Sequence, residues 1–142
     1  MLRLTAFIAL TALPASAWEF EVRDVCLLTH RMDAADIEVS YDPSIPEYAI
    51  RITRTPPWPG GPVFAIRFDG PRGLTISTDR HELSAGQATL TVTDKGFGNV
   101  LNGLQFNRTA TAILGDEALS ISLDGAAEPV EAFRACTEAR LS

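Results

Sequence analysis

Two cysteines constrain this chain more than any other feature. Cys26 and Cys136 are the whole cysteine inventory, stand 110 residues apart and form no CxxC spacing. A bond between them obliges the first and last elements of the fold to meet. On the chain-entropy view, closing a loop of that length stabilises by roughly 4–5 kcal/mol. Such a bond persists in an oxidising compartment, and the N-terminus carries a matching signal. Arg3 provides a positive start, Leu4 to Leu13 is apolar, Pro14 breaks the run, and Ala15-Ser16-Ala17 has the small-x-small pattern of a cleavage site. Residues 1–17 therefore read as a secretory signal peptide. The apolar run is too short for a bilayer-crossing helix, which needs about 20 residues, so no membrane span is expected in the mature form. The alternative for the cysteines, a reactive thiol, needs an electropositive setting. Arg134 and Arg140 lie near Cys136, but a helix C-terminus is the wrong pole for a thiolate. The expectation is a periplasmic or secreted domain, residues 18–142, pinned by Cys26–Cys136.

Loss of Arg3 takes the 12 basic residues to 11 against 18 acidic ones, a formal charge of −7. A chain so acidic repels phosphate backbones, so nucleic acid is excluded as an expected partner. Alternation of period two dominates the mature chain. Trp18, Phe20 and Val22 alternate with charged neighbours, Ile37, Val39 and Tyr41 with Asp36, Glu38, Ser40 and Asp42, and Tyr48, Ile50 and Ile52 with Ala49, Arg51 and Thr53. The same pattern recurs at Phe64, Ile66 and Phe68, at Leu74 and Ile76, at Leu90 and Val92, and at Leu119, Ile121 and Leu123. One greasy and one wet face per segment is the signature of antiparallel sheets. Thr109 to Leu114 reads as a strand apolar on both faces, and Asp79 to Gly86 as a loop. The period changes only at Phe97, Val100, Leu101 and Leu104, one stripe of a short helix near 97–105, although Gly96, Gly98 and Gly103 weaken it. A second helix near 128–138 puts Val130 and Phe133 inward and Cys136 on the same side. The expected fold is mainly β, an antiparallel sandwich or partly open barrel, with these two helices.

Candidate chemistry is sparse. His30 and His81 are the only histidines, and no HxH or HExxH spacing accompanies them, so no metal is expected. No glycine-rich phosphate loop or other cofactor motif occurs, so no cofactor is expected either. Ser77-Thr78-Asp79-Arg80-His81-Glu82 gathers nucleophile, base and acid types. Triad members are brought together by the fold and are rarely adjacent in sequence, so a loop with local hydrogen bonds is the plainer reading. Pro56-Pro57-Trp58-Pro59-Gly60-Gly61-Pro62 reads as a stiff loop with Trp58 at its middle. Arg67 falls opposite the large apolar residues of its strand. With Trp58 and Arg72 it can form a corner for an anion or peptide, and the plainer reading is a cross-strand partner for Asp or Glu on an exposed sheet face. Trp58, Arg67, Arg72 and His81 are thus the possible binding residues. Asn107-Arg108-Thr109 matches a glycosylation tripeptide.

The runs PVFAIRFDGPRGLTISTDRHELS, LTVTDKGFGNVLNGLQF and LDGAAEPVEAFRAC resemble a family of small secreted alphaproteobacterial proteins of unknown function. Chains of that kind are sometimes labelled as the helicase component of an excinuclease. This sequence contradicts that name, because a nucleotide-driven helicase needs GxxxxGK[ST]. The terminal strand–helix–cysteine element is also similar to that of invasion-associated locus B proteins. The resemblance implies no catalytic residue. Three functions are expected in order: a non-enzymatic periplasmic binding or envelope-accessory protein, whose partner is a protein or envelope ligand; an inhibitor of a secreted hydrolase that inserts Trp58; and a small hydrolase built on Asp79–Glu82.

Overall fold

The computed structural model describes residues 5–9 and 17–141. Most of the expected signal peptide, including Arg3, Pro14 and Ala15-Ser16, lies outside the described residues. In chain order the elements are β1 (Glu19–Val22), β2 (Cys26–Arg31), β3 (Ala35–Asp42), β4 (Glu47–Arg54), β5 (Phe64–Asp69) and β6 (Leu74–Thr78). There follow β7 (Glu82–Ser84), β8 (Thr89–Asp94), α1 (Gly98–Phe106), β9 (Thr109–Leu114), β10 (Glu117–Ser122) and α2 (Ala127–Leu141).

Two antiparallel sheets result. The larger runs β1-β2-β3-β4-β8-β7 and the smaller β10-β9-β5-β6. Alternation fixes which face each strand buries, because a one-residue slip would turn every apolar side chain to water. Thus Ile37 pairs with Ile52, Val39 with Ile50, and Ile66 with both Ile76 and Ala112. Leu28, Ile37, Val39, Ile50, Ile52 and Leu90 of the larger sheet share one core with Phe64, Ile66, Phe68, Leu114 and Ile121 of the smaller. The fold is a sandwich. At the end of β3, Ser44 donates its hydroxyl (2.6 Å) and its backbone N–H (2.9 Å) to Asp42. The two bonds hold this carboxyl below its ordinary value, the hydroxyl bond most strongly, and they turn the chain into β4.

The smaller sheet has two strands fewer, and the helices occupy the difference. Helix α2 packs on β1 and β2, and α1 packs on α2. Val130 and Phe133 are fully buried beneath α2, as the sequence pattern predicts. Cys136 bonds Cys26 with the two Cα atoms 6.1 Å apart. The Trp18 indole donates to the carbonyl of Ser122 (3.0 Å), and Arg140 donates to the carbonyl of Arg23 (3.2 Å), so three ties join the ends of the chain.

Two local expectations change. Asp79 to Gly86 contains a strand, β7, paired to β8 from Glu82↔Thr91 to Ser84↔Thr89. It is three residues long, too short for alternation to be legible. Gly103 does more than weaken α1. A Cβ there would lie 2.6 Å from Cγ of the buried Phe68 ring, so the hydrogen of glycine permits helix and sheet to approach this closely.

Candidate functional site

The sheets do not close on each other everywhere. Between β6, an outer strand, and β8 a cleft of about 450 Å³ enters the sandwich. Its floor is Ile50, Phe64, Ile66 and Phe97, all buried, and Ile76, Val92 and Val100 stand half-buried on its walls. These are the inward residues of strands that alternate, so the sequence pattern supplies the lining. What the alternation leaves out is a facing side chain to fill the gap. The rim is polar: Ser77, Thr78 and Asn99 line it, and Arg80 meets Asp94 at 3.5 Å. Both partners of that pair are well exposed, so it contributes little to stability. A cavity of this size lies within the range of small-molecule sites, roughly 300–1,000 Å³, and an apolar lining with a few polar groups at the mouth is their usual composition. Water inside such a cleft gains few hydrogen bonds.

A second cavity, about 390 Å³, lies on the other side of Gly96-Phe97-Gly98 and shares those three residues with the cleft. Phe97 is the partition. Its ring stacks on Tyr48 at 5.3 Å, and Tyr48 meets Tyr41 at 4.6 Å and Phe133 at 6.3 Å.

Of the residues singled out from sequence, Ser77, Thr78 and Arg80 reach the rim of the cleft, and the others fall elsewhere. Trp58 is 1% exposed. Its Nε1 donates to the carbonyl of Ile52 (3.0 Å), its ring meets Phe64 edge-on at 6.3 Å, and the Arg54 guanidinium lies 5.0 Å from its centroid. The proline-rich loop folds the indole into the core, which corrects the expectation of a presented anchor. Arg67 is exposed and pairs with Asp69 of its own strand at 3.1 Å; its neighbours across the sheet are Thr75 and Thr111, so the expected cross-strand carboxylate is replaced by one two residues along the chain. Arg72 lays its guanidinium over Phe106 at 4.2 Å. The corner of Trp58, Arg67 and Arg72 is not assembled. Trp58 packs at the Phe64 end of β5, whereas Arg72 follows the Phe68 end, and four strand residues span about 13 Å.

His81 accompanies neither a serine nor a carboxylate. Its Nε2 donates to the carbonyl of Gly61 (2.8 Å) and its ring tilts towards Phe64 at 6.3 Å. Among the described residues no hydrogen bond links it to Ser77, Asp79 or Glu82, so the six-residue cluster forms no triad. It pins the proline-rich loop instead. His30 is buried, lying flat on Trp18 with centroids 4.5 Å apart and planes at 4°. Burial pushes its pKa below the ordinary value, partly offset by a hydrogen bond to the Ala17 backbone. Asn107 is 8% exposed, and its side chain accepts from the N–H of Arg72 (3.0 Å) and donates to the carbonyls of Arg72 (2.9 Å) and Gly103 (3.1 Å). A sugar acceptor must project into solvent, so the tripeptide at 107–109 is structural.

Sequence reasoning missed Ile76, Val92, Asp94 and Phe97 as lining residues, and placed Arg80 in a polar loop rather than at a cleft. One signal was present, the isolated phenylalanine between two glycines at 96–98. Among the described residues no three His, Cys, Asp or Glu side chains gather as a metal site, and no helix is long and apolar enough to cross a membrane. No family model matches this chain, and no curated protein or solved structure matches it.

Proposed function

We propose that this is an exported, non-enzymatic binding protein that holds a small, largely apolar molecule in the cleft between its sheets. The observation that carries the reading is the cleft itself, about 450 Å³ of apolar-walled space between β6 and β8 with polar groups confined to its rim. An envelope-accessory role without a ligand gives no reason to keep such a space, since unfilled apolar volume forfeits packing. The signal-like N-terminus and the single disulfide support export, with cleavage after Ala17 and residence in the periplasm or outside the cell. The resemblance to small secreted proteins points the same way.

Titration calorimetry with straight-chain alcohols tests the reading. Each buried methylene contributes about 0.8 kcal/mol, so affinity should rise roughly fourfold per carbon until the cleft is full. Ile76→Trp, from a half-buried position on β6, fills the cleft and should reduce dodecanol affinity at least tenfold, with the unfolding midpoint unchanged. A parent protein that takes up no dodecanol, or an I76W variant that binds it as the parent does, refutes the proposal.

A further inference from the structure

We propose that the second cavity, beyond Phe97, receives the anionic head of the same ligand, so that the molecule held is a single-chain carboxylate. The inference rests on the binding reading above and names the class of ligand.

Tyr41 carries the argument. It stands near the end of β3, 2% exposed, paired with Tyr48 and Cys26 across the neighbouring strands. It lines the second cavity, yet its hydroxyl is buried without a hydrogen-bond partner among the described residues. Buried hydroxyls in native proteins are almost always paired, and an orphan is a standing loss of stability unless something else supplies the partner. Phenylalanine would fill the same place without that loss. Arg134, on α2, lines the cavity too. Its Nη2 donates to Oδ1 of Asn102 (2.6 Å), which orients the guanidinium, while its Nε–H is buried and unpaired among the described residues. Lys95 also lines the cavity, and its ammonium makes no ion pair among the described residues.

A phenol, a guanidinium and an ammonium are all donors, and two are cations. A ligand that suits them brings acceptor oxygens and negative charge. Among the described residues Glu138 is the one carboxylate lining the same cavity, which disfavours a dianion such as phosphate against a monoanion. The apolar cleft adjoins this cavity through Gly96-Phe97-Gly98, and a Cβ added at either glycine would meet nothing within 4 Å, so the backbone on both sides of Phe97 borders open space while the ring itself is buried against Tyr48. If the Phe97 ring turns aside, a chain lying in the cleft ends beside Tyr41, Arg134 and Lys95. Apolar tail and carboxylate head are the two chemistries that the two cavities supply.

Dodecanoate, dodecyl phosphate and dodecanol, titrated into the full-length exported protein, separate the possibilities. Dodecanoate should bind at least tenfold more tightly than dodecanol and more tightly than dodecyl phosphate. Tyr41→Phe should weaken dodecanoate about tenfold, the scale of one charge-assisted hydrogen bond, leave dodecanol unchanged, and keep or raise the unfolding midpoint of the unliganded protein. Arg134→Gln, on the outer helix, should weaken dodecanoate in the same selective way. If dodecanol binds and dodecanoate binds no better, or if neither variant discriminates between them, the head-group site is wrong and the cleft reading stands. If dodecyl phosphate binds best, the carboxylate assignment is wrong. If no chain binds at all, both readings fall.

Discussion

Replacing Gly103 with alanine sets helix propensity against packing. In an exposed helix the change stabilises by about 1 kcal/mol. Here the added methyl would lie 2.6 Å from Cγ of Phe68, and closer still to Cδ2 and Cε2. Real Cβ contacts do not approach so near, and Phe68 is fully buried. Relief requires α1 to lift by roughly 1 Å, and a gap of that order forfeits a quarter to a half of each dispersion contact it opens. Overpacking of this kind costs about 1–3 kcal/mol. The lift also strains the bonds from Asn107 to Gly103 and Arg72, which places the cost at the upper end. Net of propensity, Gly103→Ala should destabilise by about 2 kcal/mol, a fall of roughly 6–10 °C in Tm for a domain of this size. Urea unfolding followed by tryptophan fluorescence should show a lower midpoint with unchanged slope. Gly98→Ala, whose added methyl meets nothing within 4 Å, should be neutral or mildly stabilising. In a Phe68→Leu background the Gly103→Ala penalty should shrink towards zero, because the ring atoms responsible are gone. A G103A protein as stable as the parent, or an equal penalty in both backgrounds, would refute the packing account.

Two other perturbations have definite signs. The double substitution Cys26→Ala/Cys136→Ala opens a loop of 110 residues and should lower stability by roughly 4–5 kcal/mol; an unchanged urea midpoint would mean that the other contacts between the chain ends suffice. Burial lowers the His30 pKa from its ordinary 6.5, opposed by the Ala17 backbone bond. The unfolded chain therefore binds the proton more readily, and this contribution is complete above about pH 6.5 and is lost as the pH falls towards the lowered value. His30→Phe keeps the flat contact with Trp18 and removes the titration. Its stability should vary less than the parent's between pH 7.5 and 5, and parallel profiles would remove His30 as the cause.

Most of both sheets was legible because most strands are half-buried: Ile37, Val39 and Tyr41, or Phe64, Ile66 and Phe68, announce the inward face by spacing alone. The strand β7 was not, since three residues with one inward leucine carry no period. Trp58 was misjudged because proline and glycine around it signal a loop, and loops mostly lie outside; whether a loop folds its tryptophan back over the core depends on tertiary contacts such as Nε1 to Ile52. Gly103 looked like a flaw in a helix because the ring of Phe68, 35 residues earlier, is invisible in the local sequence. The cleft was hidden for the same reason. Ile76 and Val92 read as ordinary core residues, and only the spacing of two sheets shows that nothing stands between them. Tyr41 fitted the strand pattern so well that its unpaired hydroxyl had no trace in the sequence.

The four outer strands of the sandwich differ in one respect that bears on how copies of this protein behave when crowded. β1 carries Glu19 and Glu21, β7 carries Glu82 and β10 carries Glu117, all exposed, whereas β6 reads Leu-Thr-Ile-Ser-Thr and has no charge. Unpaired strands recruit other strands unless charge or covering elements prevent it. On an acidic chain, Glu19 on β1 and Glu82 on β7 repel a second copy, whereas Glu117 on β10 is paired with Arg54 at 3.2 Å and protects its border less. β6 alone carries no charge at all, so the aggregation hazard of the fold is greatest on one five-residue border, the one beside the cleft mouth. The protection elsewhere is electrostatic and reaches about 10 Å at 0.1 M salt. Raising ionic strength erodes the difference between the borders and makes all four behave like β6.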